Sequence, residues 1–238
     1  EFNETHSGKP RLFVFEEVFE DFRDRFPQVR YLQGVNLDGV IRNATTSGEQ
    51  HHNETMMRGW FASQVRLKKN DLIIAPDADE ILYRSSFEWL KNHMSGRSRG
   101  VRFRLHQFFY RPNFLWIDKH VLVPSALPYG RHRHSFPNDW RYKGMKLDGF
   151  WGVHFSWCIP VDAMVAKMNS YAHASDFESL ADEHVLRAAR DEKKYPFDPE
   201  KNFSLVEISD QSRVLPESFR LYSHLFHPDV YRSAASSA

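Results

Sequence analysis

The sequence predicts an α/β fold, a mixed and mostly parallel sheet flanked by helices, and three observations predict it. Asp71-Leu72-Ile73-Ile74-Ala75 is a short continuous apolar run bounded by polar residues, as expected of a strand buried on both faces of a parallel sheet. Segments of helical and strand period alternate on either side of that run, and no internal repeat interrupts them. The 238 residues suffice for one large domain or two small ones with a sizeable core.

The elements follow in order. Phe15, Val18, Phe19, Phe22 and Phe26 recur at helical spacing, with Pro27 closing the helix. Val29 to Val35 reads as a strand and Asp38 to Asn53 as a polar loop. A second helix from about Glu54 to Leu67 carries Met57, Trp60, Phe61 and Val65 on one face. After the Asp71 to Ala75 strand, Ser85-x-x-Glu88 reads as a capping box ahead of a helix burying Phe87, Leu90 and Met94. Val101, Phe103 and Leu105 alternate with Arg102, Arg104 and His106, the period of a half-exposed strand.

Phe108 to Asp148 is rich in aromatics, Pro and Arg without a sustained period, so short strands and long loops are expected there, where binding surfaces tend to lie. Pro160 opens a helix with Val161, Met164, Val165 and Met168 on one face, and a further helix spans roughly Ser179 to Arg190. Phe203 to Ile208 reads as a strand, and Pro216 to Pro228 has no clear period. Residues 1–230 are taken as a single domain and 231–238 as a frayed tail.

Composition excludes several classes. With 32 Lys and Arg against 31 Asp and Glu, the chain lacks the basic excess that binding to a phosphate backbone needs, so nucleic acid is not an expected partner. A single Cys rules out an intrachain disulfide framework and a Cys-rich zinc module. No apolar run approaches the roughly 20 residues that span a bilayer. The chain opens on Glu1 without a signal peptide, which reads as a fragment or a processed form. Asn3, Asn43, Asn53 and Asn202 each begin an Asn-x-Ser/Thr acceptor pattern, more than the one or so expected by chance, which hints at a secretory compartment.

The chemistry centres on Pro76-Asp77-Ala78-Asp79-Glu80, directly after the apolar strand. If the extended conformation persists through Asp79, the two-residue period puts Asp77 and Asp79 on one side at the carboxyl edge of the sheet, where ligands of open α/β sheets bind. Two carboxylates there supply hard oxygen ligands and leave room for Mg²⁺ or Mn²⁺ to hold a diphosphate as well. The same residues also suit a helix cap or a turn.

Three segments carry a resemblance. Asn3-Glu4-Thr5-His6-Ser7-Gly8-Lys9-Pro10, the Asp71 to Glu80 run DLIIAPDADE, and Trp151-Gly152-Val153-His154-Phe155-Ser156-Trp157-Cys158 occur in one order at compatible spacing. Together they resemble glycosyltransferase family 17, typified by bisecting β-1,4-N-acetylglucosaminyltransferase, from residue 1 to about Pro228. Lys167 to His173, reading KMNSYAH, looks like the segment that follows the family's Trp-rich motif.

The resemblance implies a GT-A-like fold and an inverting transferase using UDP-N-acetylglucosamine, with a glycan acceptor such as the β-mannose of an N-glycan core. Asp77 and Asp79 match its metal-binding DXD motif. Inversion by one in-line displacement needs a carboxylate base, and Glu80, Asp148, Asp176 and Glu178 are the candidates, Asp148 being preferred because it precedes the Trp-rich motif. His154 is either a further metal ligand or a hydrogen-bonded core residue. Lys9 and Arg58 either touch donor phosphates or are solvated charges. Arg131, in an Arg-His-Arg-His cluster, suggests an anion or glycan contact, and Trp140, Trp151 and Trp157 suit either sugar stacking or the core.

Members of the family carry a strand and helix upstream of the Lys9 region, which this chain is expected to lack, and Phe155 stands where the animal enzymes have a second Cys. The resemblance to the animal enzymes, with the acceptor patterns, implies the Golgi lumen and an N-terminal membrane anchor, whereas microbial or viral relatives would be cytoplasmic. A metal-dependent phosphoester or diphosphate hydrolase, and a non-catalytic glycan-binding domain on the same scaffold, are the other readings.

Overall fold

The computed structural model describes residues 66–94, 99–132, 141–170, 181–198, 200–222 and 230–231, with the single positions 49, 52, 55 and 56. The predicted helix at 15–26, the strand at 29–35 and residues 232–238 of the tail predicted at 231–238 lie outside the described residues, while Tyr231 of that tail is buried; most of the predicted helix at 54–67 also lies outside, of which Thr55 and Met56 are helical.

The described strands form two mixed sheets. One has the order β1 (Leu72–Ile74), β6 (Ser125–Pro128), β3 (Val101–Arg102), β7 (Met145–Lys146). The other has the order β2 (Glu80–Leu82), β8 (Gly152–Trp157), β4 (Leu105–Phe109), β5 (Arg111–Val121), β9 (Leu205–Glu207). Only β3 with β7 and β4 with β8 pair in parallel, and every other pairing of these strands is antiparallel. The expectation of a mostly parallel sheet is thus corrected. Leu72-Ile73-Ile74 does form a strand, but it is half-buried and runs antiparallel to β6. A continuous apolar run reports burial, and burial does not state the direction of the neighbour.

The alternation of Val101, Phe103 and Leu105 holds, since all three are buried. It spans two strands in different sheets, however, with Phe103 and Arg104 as the crossing: the Phe103 N–H donates to the Pro124 carbonyl and the Trp151 N–H to that of Arg104. The region expected to lack long elements contains the 11-residue β5, whose Pro112, Phe114 and Trp116 are buried while Arg111 and Ile117 are exposed. β4 turns into β5 at Tyr110, a left-handed residue (φ 62°) whose hydroxyl donates to the Lys194 carbonyl at 2.6 Å.

The helices follow the apolar spacing with shifted ends. Helix α1 (Arg84–His93) begins after Tyr83 without a side-chain cap, so the capping box is not formed. Glu88 instead pairs with Arg84 one turn back. Leu90 and Met94 are buried as expected, whereas Phe87 is 51% exposed and the buried position is Ser86, whose hydroxyl donates to the Trp151 carbonyl. A single turn, α2, spans Tyr129–His132.

Helix α3 (Val161–Ser170) buries Val161, Met164 and Met168 against Phe109, Tyr110 and Trp116. Helix α4 (Glu183–Asp191) starts later than expected, because the Asp182 carboxylate caps it by accepting from the His184 and Val185 N–H groups. A last helix, α5 (Glu217–Tyr222), places Phe219 beside Phe155 and Tyr231, in the stretch where no period was visible. Among the described residues no helix is long and apolar enough to cross a membrane.

Candidate functional site

The chain leaves β1 through Ala75 and Pro76 and does not stay extended. The Glu80 N–H donates to the Asp77 carbonyl at 3.0 Å, closing a turn over Ala78 and Asp79. The premise that put Asp77 and Asp79 on one side by strand period is therefore not met, and the two carboxylates meet different partners.

Asp77, half-exposed, and Glu80, buried, belong to an ionic cluster around the buried Arg141. The guanidinium lies 2.8 Å from Asp77 Oδ1 and 2.5 Å from Glu80 Oε1, and it donates to the Ala75 carbonyl at 3.1 Å. Glu80 Oε2 accepts from the Asp77 N–H at 2.9 Å, and Ser125 Oγ donates to the carbonyl of Arg141 itself. The Arg141 side chain is 4% exposed and that of Glu80 1%. Burial raises the Glu80 carboxyl above its ordinary value against the pull of Arg141. A general base must reach the hydroxyl it deprotonates, whereas the Glu80 carboxyl, in this geometry, is buried against Arg141 and shapes the turn.

Asp79 faces the other way. Its register follows from the sheet: Glu80 pairs with His154 between β2 and β8, His154 pairs with Gln107 between β8 and β4, and the Phe155 N–H donates to the Asp79 carbonyl. Gln107 Nε2 donates to the Phe108 carbonyl, which leaves its Oε1 to accept from His154 Nδ1 at 2.8 Å. That bond places a proton on Nδ1, and Nε2 stands 3.5 Å from Asp79 Oδ1, meeting it with an N–H when the ring is charged and with a lone pair when it is neutral. On the other side Lys167, from α3, brings Nζ to 3.8 Å from Asp79 Oδ2. Burial is the largest influence on the Asp79 carboxyl and pushes it up. The hydrogen bond and charge of His154, the Lys167 ammonium and its own backbone N–H together outweigh burial and hold it at about 2.

Among the described residues no group of three or more His, Cys, Asp or Glu side chains converges as a metal site. Asp79 and His154 are the two donors that stand together. A carboxylate oxygen beside an imidazole nitrogen, whose second N–H is already bonded to Gln107, fits a divalent cation that takes its remaining ligands from elsewhere.

The other expected residues are placed as follows. Asp148 is exposed on the turn between β7 and β8, outside the Asp79 group, and its carbonyl accepts from the Trp151 indole at 2.8 Å. Trp151 packs edge-on to Trp89 and against Phe103 as part of the core. Trp157 adjoins the site: one neighbour is Phe197 and another is the Lys167 ammonium, 4.9 Å over its ring. Asn202 is exposed ahead of β9. Lys9, Arg58, Asn3, Asn43, Asn53, Trp140, Asp176 and Glu178 lie outside the described residues, as does the side chain of Arg131.

Three residues at the site were missed as functional candidates. Gln107 had a signal, a polar residue inside the aromatic run from Phe103 to Tyr110. Lys167 had a weaker one, three residues after Met164 on the helix that packs against the core. Arg141 had none.

An α/β protein in which an acidic turn, an oriented imidazole and a helix-borne lysine meet at a sheet is the class that fold and site define. The model of glycosyltransferase family 17 matches residues 1–195, most of the chain. The chain belongs to glycosyltransferase family 17 and is a glycosyltransferase. No curated protein and no solved structure matches it.

Proposed function

We propose that the chain moves N-acetylglucosamine from UDP-N-acetylglucosamine to a glycan acceptor with inversion, the acceptor being the β-mannose of an N-glycan core and the linkage β-1,4. The observation that carries this reading, in a member of this family, is the Asp79 carboxylate 3.5 Å from a His154 nitrogen whose ring is oriented by Gln107. Asp79 and His154 would hold Mn²⁺ or Mg²⁺, while Asp77, paired with Arg141, shapes the turn that presents Asp79. When bound, the cation offsets the charge that gathers on the diphosphate as it leaves.

Asp148 takes the proton of the acceptor hydroxyl while that oxygen bonds to the anomeric carbon and the bond to UDP breaks. Exposure supports Asp148 in this role over the buried Glu80. Four Asn-x-Ser/Thr patterns support work in the Golgi lumen, on a protein anchored through its N-terminal side.

The test is incubation with Mn²⁺, UDP-N-acetylglucosamine and an N-glycan, following glycan mass and UDP release. Transfer adds the mass of one sugar. UDP release without transfer would mark a hydrolase, and glycan binding without either would mark a glycan-binding domain. Asp79→Asn is expected to lower turnover by at least about a hundredfold with the thermal transition retained. Undiminished turnover in that variant would sink the metal assignment.

A further inference from the structure

We propose that Lys167 binds the donor diphosphate and thereby couples the cation to the nucleotide, so that Asp79 and His154 hold a divalent cation tightly only when the diphosphate is present. The proposal rests on the donor site of the preceding section. It concerns a residue that lies outside the Asp-x-Asp motif.

The position of the ammonium is fixed from three sides. Lys167 Nζ donates to the Ser156 carbonyl at 2.6 Å, lies 3.2 Å from Ser156 Oγ and sits 4.9 Å over the Trp157 ring. Ser156 and Trp157 belong to β8, the strand that carries His154, so the lysine is held in register with the imidazole. Its side chain is 24% exposed, which leaves the ammonium within reach of a ligand. Asp79 Oδ2 at 3.8 Å is too far for a hydrogen bond, so this ion pair can be exchanged for an anion without breaking a short contact.

Two consequences follow from charge. A cation shared by Asp79 Oδ1 and His154 Nε2 lies close to a fixed positive charge, and the two repel in a half-buried setting where screening is weak. A diphosphate removes the conflict, because its oxygens accept from the ammonium and ligate the cation at once. The cation and the diphosphate therefore favour each other's binding, and by linkage the effect is equal in both directions. A lysine that only propped the Ser156 carbonyl and neutralised Asp79 could be removed without weakening UDP.

The experiment is calorimetric titration of the whole chain with Mn²⁺ alone, with UDP alone, with UDP in saturating Mn²⁺, and with uridine, which lacks phosphates. In Lys167→Met, Mn²⁺ alone is expected to bind about tenfold tighter while UDP in the presence of Mn²⁺ binds about tenfold weaker, with uridine unaffected. These shifts have opposite signs, whereas a damaged site would weaken both ligands. Lys167→Arg retains the charge and is expected to keep bare Mn²⁺ weak and UDP tight.

A folded Lys167→Met protein that binds UDP as tightly as the parent, or Mn²⁺ more weakly, overturns the proposal and leaves the donor reading intact. A parent chain that binds neither Mn²⁺ nor UDP overturns both. If Lys167→Met does not fold, loss of UDP binding in a folded Lys167→Arg protein overturns the proposal just the same.

Discussion

Arg141 is the residue on which the shape of the acidic turn depends. Its guanidinium spans Asp77, Glu80 and the Ala75 carbonyl while almost wholly buried, so three groups flanking Asp79 are tied to one side chain. Taking an ion pair out of water is costly, and the geometry repays that cost only while both partners remain. Arg141→Met is expected to destabilise the chain by about 3–5 kcal/mol, because it strands the Glu80 carboxylate without its counter-charge. The double variant Arg141→Met with Glu80→Gln should recover a substantial part of the loss, since the remaining amide can still accept from the Asp77 N–H and carries no charge. Urea unfolding of the four proteins of this cycle measures the coupling, and additive losses would show that the pair is not the unit.

At the scale of elements, the site depends on how closely β2 approaches β8. Gly152 opens β8 opposite Leu82, and a Cβ there would lie 2.3 Å from the Ile81 carbonyl oxygen and 3.0 Å from Leu82 Cα. Those are backbone atoms that cannot turn aside. Gly152→Ala is expected to cost about 2–3 kcal/mol by urea unfolding and to lower activity further, since parting the strands parts Asp79 from His154. Gly149→Ala, with a positive φ of 80° and open space around its Cβ, should cost only about 1 kcal/mol, so a smaller loss at Gly152 than at Gly149 would refute this account.

The same elements show what could be read in advance. Leu72 to Ile74 and the Val101, Phe103, Leu105 alternation are visible because burial is written in side-chain type and period. Which sheet each strand joins is not visible, because pairing is decided by partners such as Ser125 and Gly152, far away in the chain. The carboxylates of the site were legible as residue types in a polar break after an apolar strand. Their divergence was not, because the turn that separates them is held by Arg141, which no local pattern connects to Asp77.

For the whole molecule, acid sensitivity follows from where its histidines are placed. His106 is stacked on Phe150 with ring centroids 3.8 Å apart, with His120 edge-on and Arg104 over the same Phe150 ring. Burial lowers the His106 pKa from 6.5 to about 4, and burial with the charges of Arg104 and Lys146 lowers that of His120. Between pH 6.5 and 4 the unfolded chain thus binds more protons at His106 than the folded one, so the contribution of His106 to stability falls as the pH is lowered through that window, and His120 acts in the same sense. Glu80, raised by burial, acts in the opposite sense, its contribution being present at low pH and lost as the pH rises through its folded value. Asp79 begins to matter only below 3.8, where its stabilising ionisation is lost towards about 2. The parent's slope is therefore a difference of terms, and a variant must isolate the histidine. Discounting for the partial exposure of the ring, His106→Gln should remove about 1 kcal/mol of the stability change between pH 6.5 and 4. Thermal unfolding of both proteins at half-unit steps reads this directly: the variant's melting temperature should decline less steeply across that window, and parallel curves would place the acid sensitivity elsewhere.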